Sequence, residues 1–315
     1  MSRAPLVPAV ACHMPRKLPP TVFLSAAPLL FVLLWSTGFL GTKGAARNAD
    51  PFAYLTVRFA LAALLMLALT AALRGPWPTR AQAGRAGVTG LLLHAGYLGG
   101  VTTAIWLGLP AGITSVLVGV QPLLTGLLSW PVLGERVTRP QWAGLALGFV
   151  GVLLVVGGQG IGSQTTASRP ALLAAAFALI CTTAGTLYQR RAGGDMPLLG
   201  GTAAQYVVSA AALGAVTLAR GGGVIHWNVE FILSLTWLVL VLSVGAILLL
   251  MRLLRDLPAA RVNSLFYLVP PLAVLESWAL YGERLSPLSL GGLLLCVTGV
   301  ALAARQPTAR PARTG

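Results

Sequence analysis

The sequence has little charge, and the charge that it has is mostly positive. Of its 315 residues, 9% are charged and 56% are hydrophobic, with 22 lysines and arginines against 7 aspartates and glutamates. A soluble domain carries about 25% charged residues, so these side chains could not cover the surface of a water-exposed globule. The composition therefore argues against a soluble enzyme and indicates an integral membrane protein.

Cysteine and phosphate-binding motifs are also scarce. Cys12, Cys181 and Cys296 lie far apart and form no CxxC motif, and the three histidines fall in separate segments, so no set of metal ligands converges. Neither GxGxxG nor GxxxxGK(S/T) occurs, which excludes an ATP-driven pump contained within this chain. We therefore expect no metal, no cofactor and no catalytic residue, and we expect any energy to come from a gradient or a partner.

Long apolar runs fill most of the chain. A membrane-spanning helix needs about 20 apolar residues, because the hydrocarbon layer is roughly 30 Å thick and each helical residue rises about 1.5 Å. The sequence predicts an all-α polytopic membrane protein with ten transmembrane helices, and no signal-peptide cleavage site follows the first run. The predicted spans are residues 22–42, 52–73, 87–108, 112–133, 141–157, 170–188, 198–218, 231–251, 262–280 and 288–304.

The positive charges predict the orientation of these spans. With ten spans, sixteen of the 22 lysines and arginines lie on the side of both termini, five lie on the other side, and Arg58 lies within a span. Because positive charge is enriched in cytoplasmic loops, we expect both termini in the cytoplasm. The basic C-terminal tail is expected to stay disordered near lipid and not to bind nucleic acid. Met14 offers a second start site, which would remove residues 1–13.

An internal repeat is visible in the sequence. The segment LPAGITSVLVGVQPLLTGLLSWPVLGERV from Leu109 aligns without gaps with LPAARVNSLFYLVPPLAVLESWALYGERL from Leu257, at an offset of 148 residues. Glu135 then follows the fourth predicted span and Glu283 the ninth. Five spans per copy is an odd number, so the second copy is inverted in the membrane, an arrangement typical of transporters. The predicted organisation is an N-terminal tail at 1–21, a first repeat at 22–157, a linker at 158–169, a second repeat at 170–304 and a C-terminal tail at 305–315.

These repeated P…W…GER blocks, with the segments LLWSTGFLGTK and DPFAYLTVRFALAALL, resemble the drug/metabolite transporter superfamily and in particular its EamA-type members. The resemblance covers nearly the whole chain. It implies two inverted five-helix halves around a central cavity, a location in the plasma (bacterial inner) membrane, and movement of small metabolites, often outward. One departure is Glu276, which stands where the first repeat has Leu128 and where relatives usually carry an apolar or small residue.

Polar residues at helical spacing on three otherwise apolar helices are candidates for the substrate cavity. Gln121 and Thr125 lie one turn apart on the fourth predicted helix, and Thr182 and Thr186 lie one turn apart on the sixth. The seventh predicted helix carries a similar stripe, formed by Thr202, Gln205 and Ser209. Such side chains must find hydrogen bonds away from lipid. They either join helices to one another or line a cavity that binds the substrate.

Prolines at equivalent positions of the two copies are candidates for helix breaks. Pro122 in the fourth helix, and Pro270 with Pro271 in the ninth, free backbone carbonyls one turn earlier. Interrupted helices point to the binding sites of transporters. Asn263 and Tyr267, about one turn ahead of Pro270, are therefore further cavity candidates, and a simple structural kink is the alternative.

Two aromatic residues are candidates for contact with an organic substrate. Trp35 lies towards the end of the first predicted helix, and Tyr97 lies in the third. The resemblance places the first helix beside the central cavity, so that Trp35 could stack on a substrate or close over it. An aromatic anchor at the membrane interface is the alternative.

Two ionisable residues lie within spans, where a charge at the bilayer centre costs about 2.5–3.5 kcal/mol. Arg58 either extends its guanidinium to the interface or pairs with a carboxylate or phosphate of the substrate. Glu276 is the one acidic residue within a predicted span and hence the candidate proton carrier. A carboxylate that reaches the interface or pairs with an arginine is the alternative.

The function predicted from these features is secondary transport, with export of small polar organic metabolites, amino-acid or drug-like, by alternating access. A sugar-phosphate or nucleotide-sugar exchanger is the alternative, for which Arg58 is the best clue. From other classes, a membrane-embedded lipid-modifying enzyme would need acidic or histidine residues clustered at one interface, and a channel would show unsaturable flux. The expected partners are a small-molecule substrate and the lipid bilayer, and a homodimer is left open.

Overall fold

The computed structural model describes residues 20–134, 139–158, 168–256, 265, 269–282 and 286–303, and in these ranges the chain is almost entirely helical. Three of the helices, α3, α4 and α8, consist of consecutive segments. In chain order, the helices are α1 Pro20–Ala46, α2 Pro51–Ala72, α3 Arg80–Trp106, α4 Ala111–Val118 and Gln121–Leu133, α5 Arg139–Gly158, α6 Arg169–Ala192, α7 Leu198–Ala219, α8 Val229–Thr236, Trp237–Ala246 and Ile247–Asp256, α9 Val269–Tyr281 and α10 Pro287–Ala303.

Seven of the helices in the described ranges are long and apolar enough to cross a membrane. The apolar parts of α5, α9 and α10 are shorter, at Trp142–Gly151, Leu272–Tyr281 and Pro287–Gly299. The prediction of an all-helical polytopic membrane protein is therefore confirmed, whereas the number of ten crossings stays a prediction.

Helix ends follow ordinary capping chemistry. The side chain of Asp50 accepts hydrogen bonds from two backbone N–H groups in the first turn of α2. Ser168 caps α6 and Ser286 caps α10 in the same manner, with distances of 3.3 and 3.1 Å. These side chains satisfy backbone donors that the first turn of a helix leaves without partners.

The helix bounds reproduce the internal repeat. The second segment of α4, Gln121–Leu133, and helix α9, Val269–Tyr281, differ by the same 148 residues as the two sequence copies. Each is followed by a glycine with positive φ, 76° at Gly134 and 66° at Gly282. Glycine suits a left-handed C-terminal cap because it has no Cβ to clash. The likeness between the copies therefore extends to the backbone conformation.

The two copies end on opposite faces of the molecule. At the end of α4, the carbonyl of Val132 accepts a hydrogen bond of 3.5 Å from Arg191 at the end of α6. At the end of α9, Tyr281 Oη donates to the carbonyl of Leu40 near the end of α1, at 3.1 Å. Helix α1 therefore ends at the same face as α9, and we call this the Tyr281 face. Helix α6 ends at the same face as α4, and we call this the Asp195 face. The latter also holds the start of α3, where Arg85 pairs with Asp195 at 2.9 Å.

The two halves interlock, and most packing joins a helix of one copy to a helix of the other. Helix α1 packs against α8 and α9, α6 packs correspondingly against α3 and α4, α2 packs on α7, and α5 on α10. A Cβ added to Gly151 would lie 2.6 Å from Gly292 O, and one added to Gly299 would lie 2.5 Å from Gly144 O. These pairs are repeat equivalents of each other, so α5 and α10 meet at a pseudo-two-fold axis.

A central apolar cluster joins the halves. It is formed by buried residues of α1, α3, α4, α6, α8 and α9, and Trp35 and Tyr97 pack against it. In lipid, helices associate through close packing and not through the hydrophobic effect. Close packing of the side chains in this interior therefore holds the two halves together. A passage between the halves would have to open here.

Candidate functional site

A buried arginine lies at the centre of a cluster of aromatic and polar side chains between α2, α3 and α7. The members of this Arg58 cluster are Tyr54, Arg58, Phe59, His94, Gln205 and Tyr206. Only 5% of Arg58 is exposed, and its Nη1 donates a hydrogen bond of 3.2 Å to Tyr54 Oη. Its Nε is buried and has no hydrogen-bond partner. The guanidinium is therefore enclosed by protein and is not extended towards an interface.

Aromatic rings form one wall of the Arg58 cluster. The rings of Phe59 and Tyr206 stack with centroids 5.6 Å apart, and the His94 ring lies 4.8 Å from Tyr206 and 5.5 Å from Phe59. His94 Nε2 and Gln205 Oε1 are 3.1 Å apart, so the imidazole donates to the amide oxygen. Arg58 itself lies 5.6 Å from the centroid of Phe59. The charge is thus held among rings, whose faces favour cations.

Two π-helical segments contact this cluster. His94 belongs to the segment Leu91–Gly96 of α3, and α8 has a second segment, Trp237–Ala246, which includes the repeat equivalent of the first. Tyr206 Oη donates to the carbonyl of Ser243 in the second segment, at 3.3 Å. Such wide turns frequently occur at functional sites. Both copies therefore carry this distortion in their third helix, at the level of the cluster.

The acidic side chains that the structure describes all have other partners, so none of them neutralises Arg58. They are Asp50, which pairs with Arg220 at 3.8 Å, Asp195, which pairs with Arg85 at 2.9 Å, Glu230, which pairs with Arg47 at 3.7 Å, and Glu276, which binds Ser36 at 2.7 Å. Within the same ranges no three histidine, cysteine, aspartate or glutamate residues are grouped so as to hold a metal ion. Among the described residues, Arg58 is therefore a buried cation with no counter-ion.

A second polar group joins α4 to α6. Gln121 Nε2 donates hydrogen bonds of 2.9 Å to Thr125 Oγ1 and 3.1 Å to Thr186 Oγ1. The predicted stripes on the two helices thus meet across the two halves, and Thr182 lies one turn before Thr186, half-buried. Both amide hydrogens of Gln121 are used, which leaves its Oε1 as an acceptor. The contact joins helices, and it presents polar groups beside the central interior.

One of the predicted helix breaks lies within the described residues. Helix α4 is interrupted at residues 119–120, and Pro122 is in the first turn of the segment that follows. Pro270 and Pro271 lie in α9, but the residues directly before Val269 are outside the described ranges, so a break there stays a prediction. A proline is tolerated in the first turn because its missing N–H would have no helical partner there. The other two cavity candidates, Asn263 and Tyr267, lie outside the described residues.

Glu276 faces the interior helix α1. Ser36, which is fully buried, has its Oγ 2.7 Å from Glu276 Oε1 and 2.9 Å from the carbonyl of Leu33. The Ser36 hydroxyl donates to Glu276 Oε1 and also lies within hydrogen-bond distance of the Leu33 carbonyl, so its single hydrogen is shared between two acceptors. The other carboxyl oxygen, Oε2, is buried without a hydrogen-bond partner. In the described ranges, no arginine or lysine pairs with Glu276.

Charged and aromatic groups connect the helix ends at the Tyr281 face. Lys43 Nζ lies 4.4 Å and Arg47 Cζ lies 5.0 Å from the centroid of the Tyr281 ring. Arg47 also pairs at 3.7 Å with Glu230, at the start of α8, and both side chains are about half exposed. Exposed ion pairs contribute little net stability. Contacts between α1, α8 and α9 thus join the helix ends at this face.

A different set of contacts joins the helix ends at the Asp195 face. Arg85 Nη2 donates to Asp195 Oδ2 at 2.9 Å, and Gln82 Nε2 donates to the backbone carbonyl of Asp195 at 2.8 Å. The hydrogen bonds from Arg85 and Gln82 to its carboxylate lower the pKa of Asp195 below its usual value. These exposed contacts join the start of α3 to the connection between α6 and α7. Each face therefore has its own contacts between the two copies.

The sequence predicted some of these groups and missed others. Arg58, Gln121 and Thr186 were marked by polarity within apolar helices, and Tyr97 was marked as an aromatic of the third helix. Gln205 belongs to the polar stripe of the seventh predicted helix, whereas His94 is not among the cavity candidates, although it is also a polar residue within a span. Their pairing could not be derived, because it depends on how α3 and α7 face each other.

Inverted copies, interlocked halves and polar groups enclosed between apolar helices define a membrane transporter. The chain belongs to the EamA-like transporter family, whose model matches residues 22–157 and 169–305. The resemblance drawn from the repeated blocks is thereby confirmed.

Several relatives are similar over most of their length. The uncharacterized transporter YvbV of Bacillus subtilis is 28% identical over 284 residues, covering 86% of this chain and 88% of its own. The uncharacterized inner membrane transporter YedA of Escherichia coli K12 is 26% identical over 282 residues, with 89% and 90% covered. A probable amino-acid metabolite efflux pump of Salmonella typhimurium is 28% identical over 285 residues, with 86% and 91% covered.

A solved crystal structure shares the fold. It is 22% identical in sequence, superposes with a TM-score of 0.63, and the match covers 88% of this chain and 98% of the other. At this identity the likeness concerns the fold alone.

Proposed function

We propose that this transporter exports small polar organic metabolites of the amino-acid or drug-like type, by alternating access, from the cytoplasmic side of a bacterial inner membrane. The observation that carries the proposal is the reciprocal packing of the inverted copies. Because each half has an equivalent set of contacts with the other, the halves can exchange conformations and thereby open the interior to either face.

The closures at the two faces support this mechanism. Contacts around Tyr281 join the copies at one face, and contacts around Asp195 join them at the other. Both sets consist of exposed side chains and polar groups, which can part without exposing a large apolar surface. Alternating access requires that one set breaks while the other holds.

The interior supports a substrate that is partly polar and partly apolar. The central cluster offers Trp35 and Tyr97 as aromatic surfaces, and Gln121 with Thr125 and Thr186 offers hydrogen-bonding groups between α4 and α6. Small-molecule sites commonly combine apolar walls with a few fixed polar groups. The printed name of the Salmonella relative, a probable amino-acid metabolite efflux pump, agrees with such a substrate.

Proton coupling through Glu276 is part of the proposal. One oxygen of this carboxyl group accepts a hydrogen bond from Ser36, and the other is buried without a partner, so the group can hold a proton while the helices enclose it and release the proton when they separate. Helices α1 and α9 belong to different copies, so their separation accompanies the change of access. The proton gradient would then supply the energy for transport.

The test is export from purified protein in proteoliposomes. Vesicles loaded with one of the twenty L-amino acids should lose it faster than protein-free vesicles, with saturation as the internal concentration rises. An unsaturable flux would indicate a channel instead. Failure of every amino acid would overturn the amino-acid part of the proposal and leave only drug-like substrates.

A further inference from the structure

The unneutralised Arg58 has a consequence for the substrate. We infer that Arg58 binds the carboxylate group of the transported metabolite, an inference that rests on the proposed function and narrows its substrate class. The site consists of the edge of the guanidinium at which the buried Nε has no hydrogen-bond partner, with the rings of the Arg58 cluster around it.

The charge balance supports a ligand that is an anion. Arg58 is 5% exposed, its one hydrogen-bond acceptor among the described residues is the neutral hydroxyl of Tyr54, and the four described acidic side chains bind elsewhere. A buried charge without a counter-ion is unfavourable, and an arginine within a membrane span marks a substrate pathway by default. We therefore expect the substrate to carry the negative charge that neutralises Arg58.

The geometry of the guanidinium supports a carboxylate. Tyr54 occupies Nη1, while Nε, on the other edge, has no acceptor. The edge formed by Nε and Nη2 presents two parallel N–H groups, which match the two oxygens of a carboxylate. A ligand bound there would satisfy the buried donor that the protein itself leaves without a partner.

Charge also favours a carboxylate over a phosphate. A carboxylate carries one negative charge, which a single arginine neutralises, whereas a phosphate monoester carries about −1.5 to −2. The other members of the Arg58 cluster are three aromatic residues, an imidazole and an amide, so no second lysine or arginine among them could balance the remainder. A sugar-phosphate or nucleotide-sugar substrate, the alternative raised by the sequence, is therefore disfavoured.

Tyr97 connects this group to the interior of the protein. It follows His94 by three residues, about one turn, on α3, and its ring packs against the central apolar cluster between the two copies. A metabolite held by its carboxylate at Arg58 would extend its remaining part past Tyr97 towards Trp35 and Gln121. The anion site would thus orient the substrate between both halves.

The experiment compares acids with their amides. The twenty L-amino acids, the corresponding amino-acid amides and inorganic phosphate serve as probes, each competing with export of the best-transported amino acid in proteoliposomes. The amides keep the side chain and the amino group and lack the carboxylate. We expect the amide of that amino acid to compete at least tenfold more weakly than the acid, and phosphate not to compete.

Substitutions of Arg58 test the same interaction with the substrate carboxylate. Arg58→Gln should weaken export of the amino acid at least tenfold, and Arg58→Lys should fall between, because an ammonium keeps the charge and loses the two-pronged geometry. Arg80→Gln, which removes an exposed positive charge at the start of α3, is the matched control and should transport like the wild type. The acid-to-amide comparison in the wild type does not depend on the folding of any variant.

The outcomes separate the two proposals. Saturable export of an amino acid with equal competition by its amide, or with equal export by Arg58→Gln, overturns the inference and leaves the proposed function standing. Competition by phosphate also overturns it, since the site would then accept an anion of another class. If the wild type exports none of the amino acids, the amino-acid part of the proposed function fails, and the inference that rests on it fails with it.

Discussion

Ser36 holds the Glu276 carboxyl group inside the bundle, at a point ten residues before the end of α1, or about 15 Å along the helix. The variant Glu276→Gln keeps the size of the side chain and cannot release a proton. We expect it to lose export driven by a pH gradient and to retain exchange of labelled for unlabelled substrate across vesicles without a gradient. Both rates are measured in the same proteoliposomes.

A second variant, Ser36→Ala, distinguishes a loss of proton coupling from structural damage around Glu276. Ser36→Ala removes the hydrogen-bond partner of Glu276 and keeps the carboxyl group, so gradient-driven export should persist at a reduced rate. Undiminished gradient-driven export by Glu276→Gln would contradict the coupling role.

At the level of single residues, the sequence indicated which side chains are out of place in an apolar helix. Arg58, Gln121 and Glu276 each stand out by polarity alone, and each has a polar contact in the structure. Ser36 and Thr186, the partners of Glu276 and Gln121, were not predictable because they come from helices far apart in the sequence, whereas Tyr54, the partner of Arg58, lies one turn earlier on the same helix. The sequence shows which polar side chains need a hydrogen-bond partner, and only the packing of the helices shows which residue provides it.

At the scale of helices, the glycines of α5 and α10 determine how closely the two copies approach. A side chain at Gly299 would meet the backbone of Gly144 and Gly148, while one at Gly291 in the same helix would meet nothing within 4 Å. We expect Gly299→Leu to lower the free energy of unfolding by about 1–3 kcal/mol, as overpacking does, and Gly291→Leu to change it little. Thermal unfolding in detergent measures both.

The repeat extends this prediction to the equivalent glycine of the first copy. Gly151 is the equivalent of Gly299, and a Cβ there would lie 2.7 Å from the backbone nitrogen of Cys296. Gly151→Leu should therefore destabilise the protein to a similar extent. A large loss at one position and none at the other would contradict the pseudo-symmetric contact.

Helix positions were predicted well because apolar length and the repeat both constrain them. The predicted fourth and ninth spans, 112–133 and 262–280, overlap the segments Gln121–Leu133 and Val269–Tyr281. The π-helical segments of α3 and α8 were missed, since LLLHAG and WLVLVLSVGA carry the same apolar signal as any α-helix. A change from one helical hydrogen-bond pattern to another leaves composition and periodicity almost unaltered.

For the whole molecule, the inverted arrangement predicts that equivalent positions are reached from opposite sides. Arg139 begins α5 and its equivalent, Pro287, begins α10, and both are exposed. Single variants Arg139→Cys and Pro287→Cys, in a chain whose native cysteines are replaced by alanine, are treated in intact cells with a membrane-impermeant maleimide. We expect Pro287→Cys to react at once and Arg139→Cys only after permeabilisation. Reaction of both from the same side would exclude an inverted repeat.

The two closures predict opposite effects on access to the interior. Thr125 is 8% exposed between α4 and α6, so a cysteine in its place reports whether water reaches the interior. Tyr281→Ala removes the ring that Lys43 and Arg47 flank, together with the hydrogen bond to Leu40. It should therefore increase labelling of Thr125→Cys from the Tyr281 side, at least severalfold, and decrease labelling from the Asp195 side.

The complementary variant gives the reverse expectation and so tests the mechanism itself. Asp195→Ala removes the acceptor for Arg85 and leaves the Tyr281 face intact, so labelling of Thr125→Cys should rise from the Asp195 side and fall from the other. The two faces compete for one conformational equilibrium under alternating access, and weakening one closure must shift the population towards opening there. If either variant raised labelling from both sides together, the interior would be a continuous pore, and rocking of the two halves would be the wrong description.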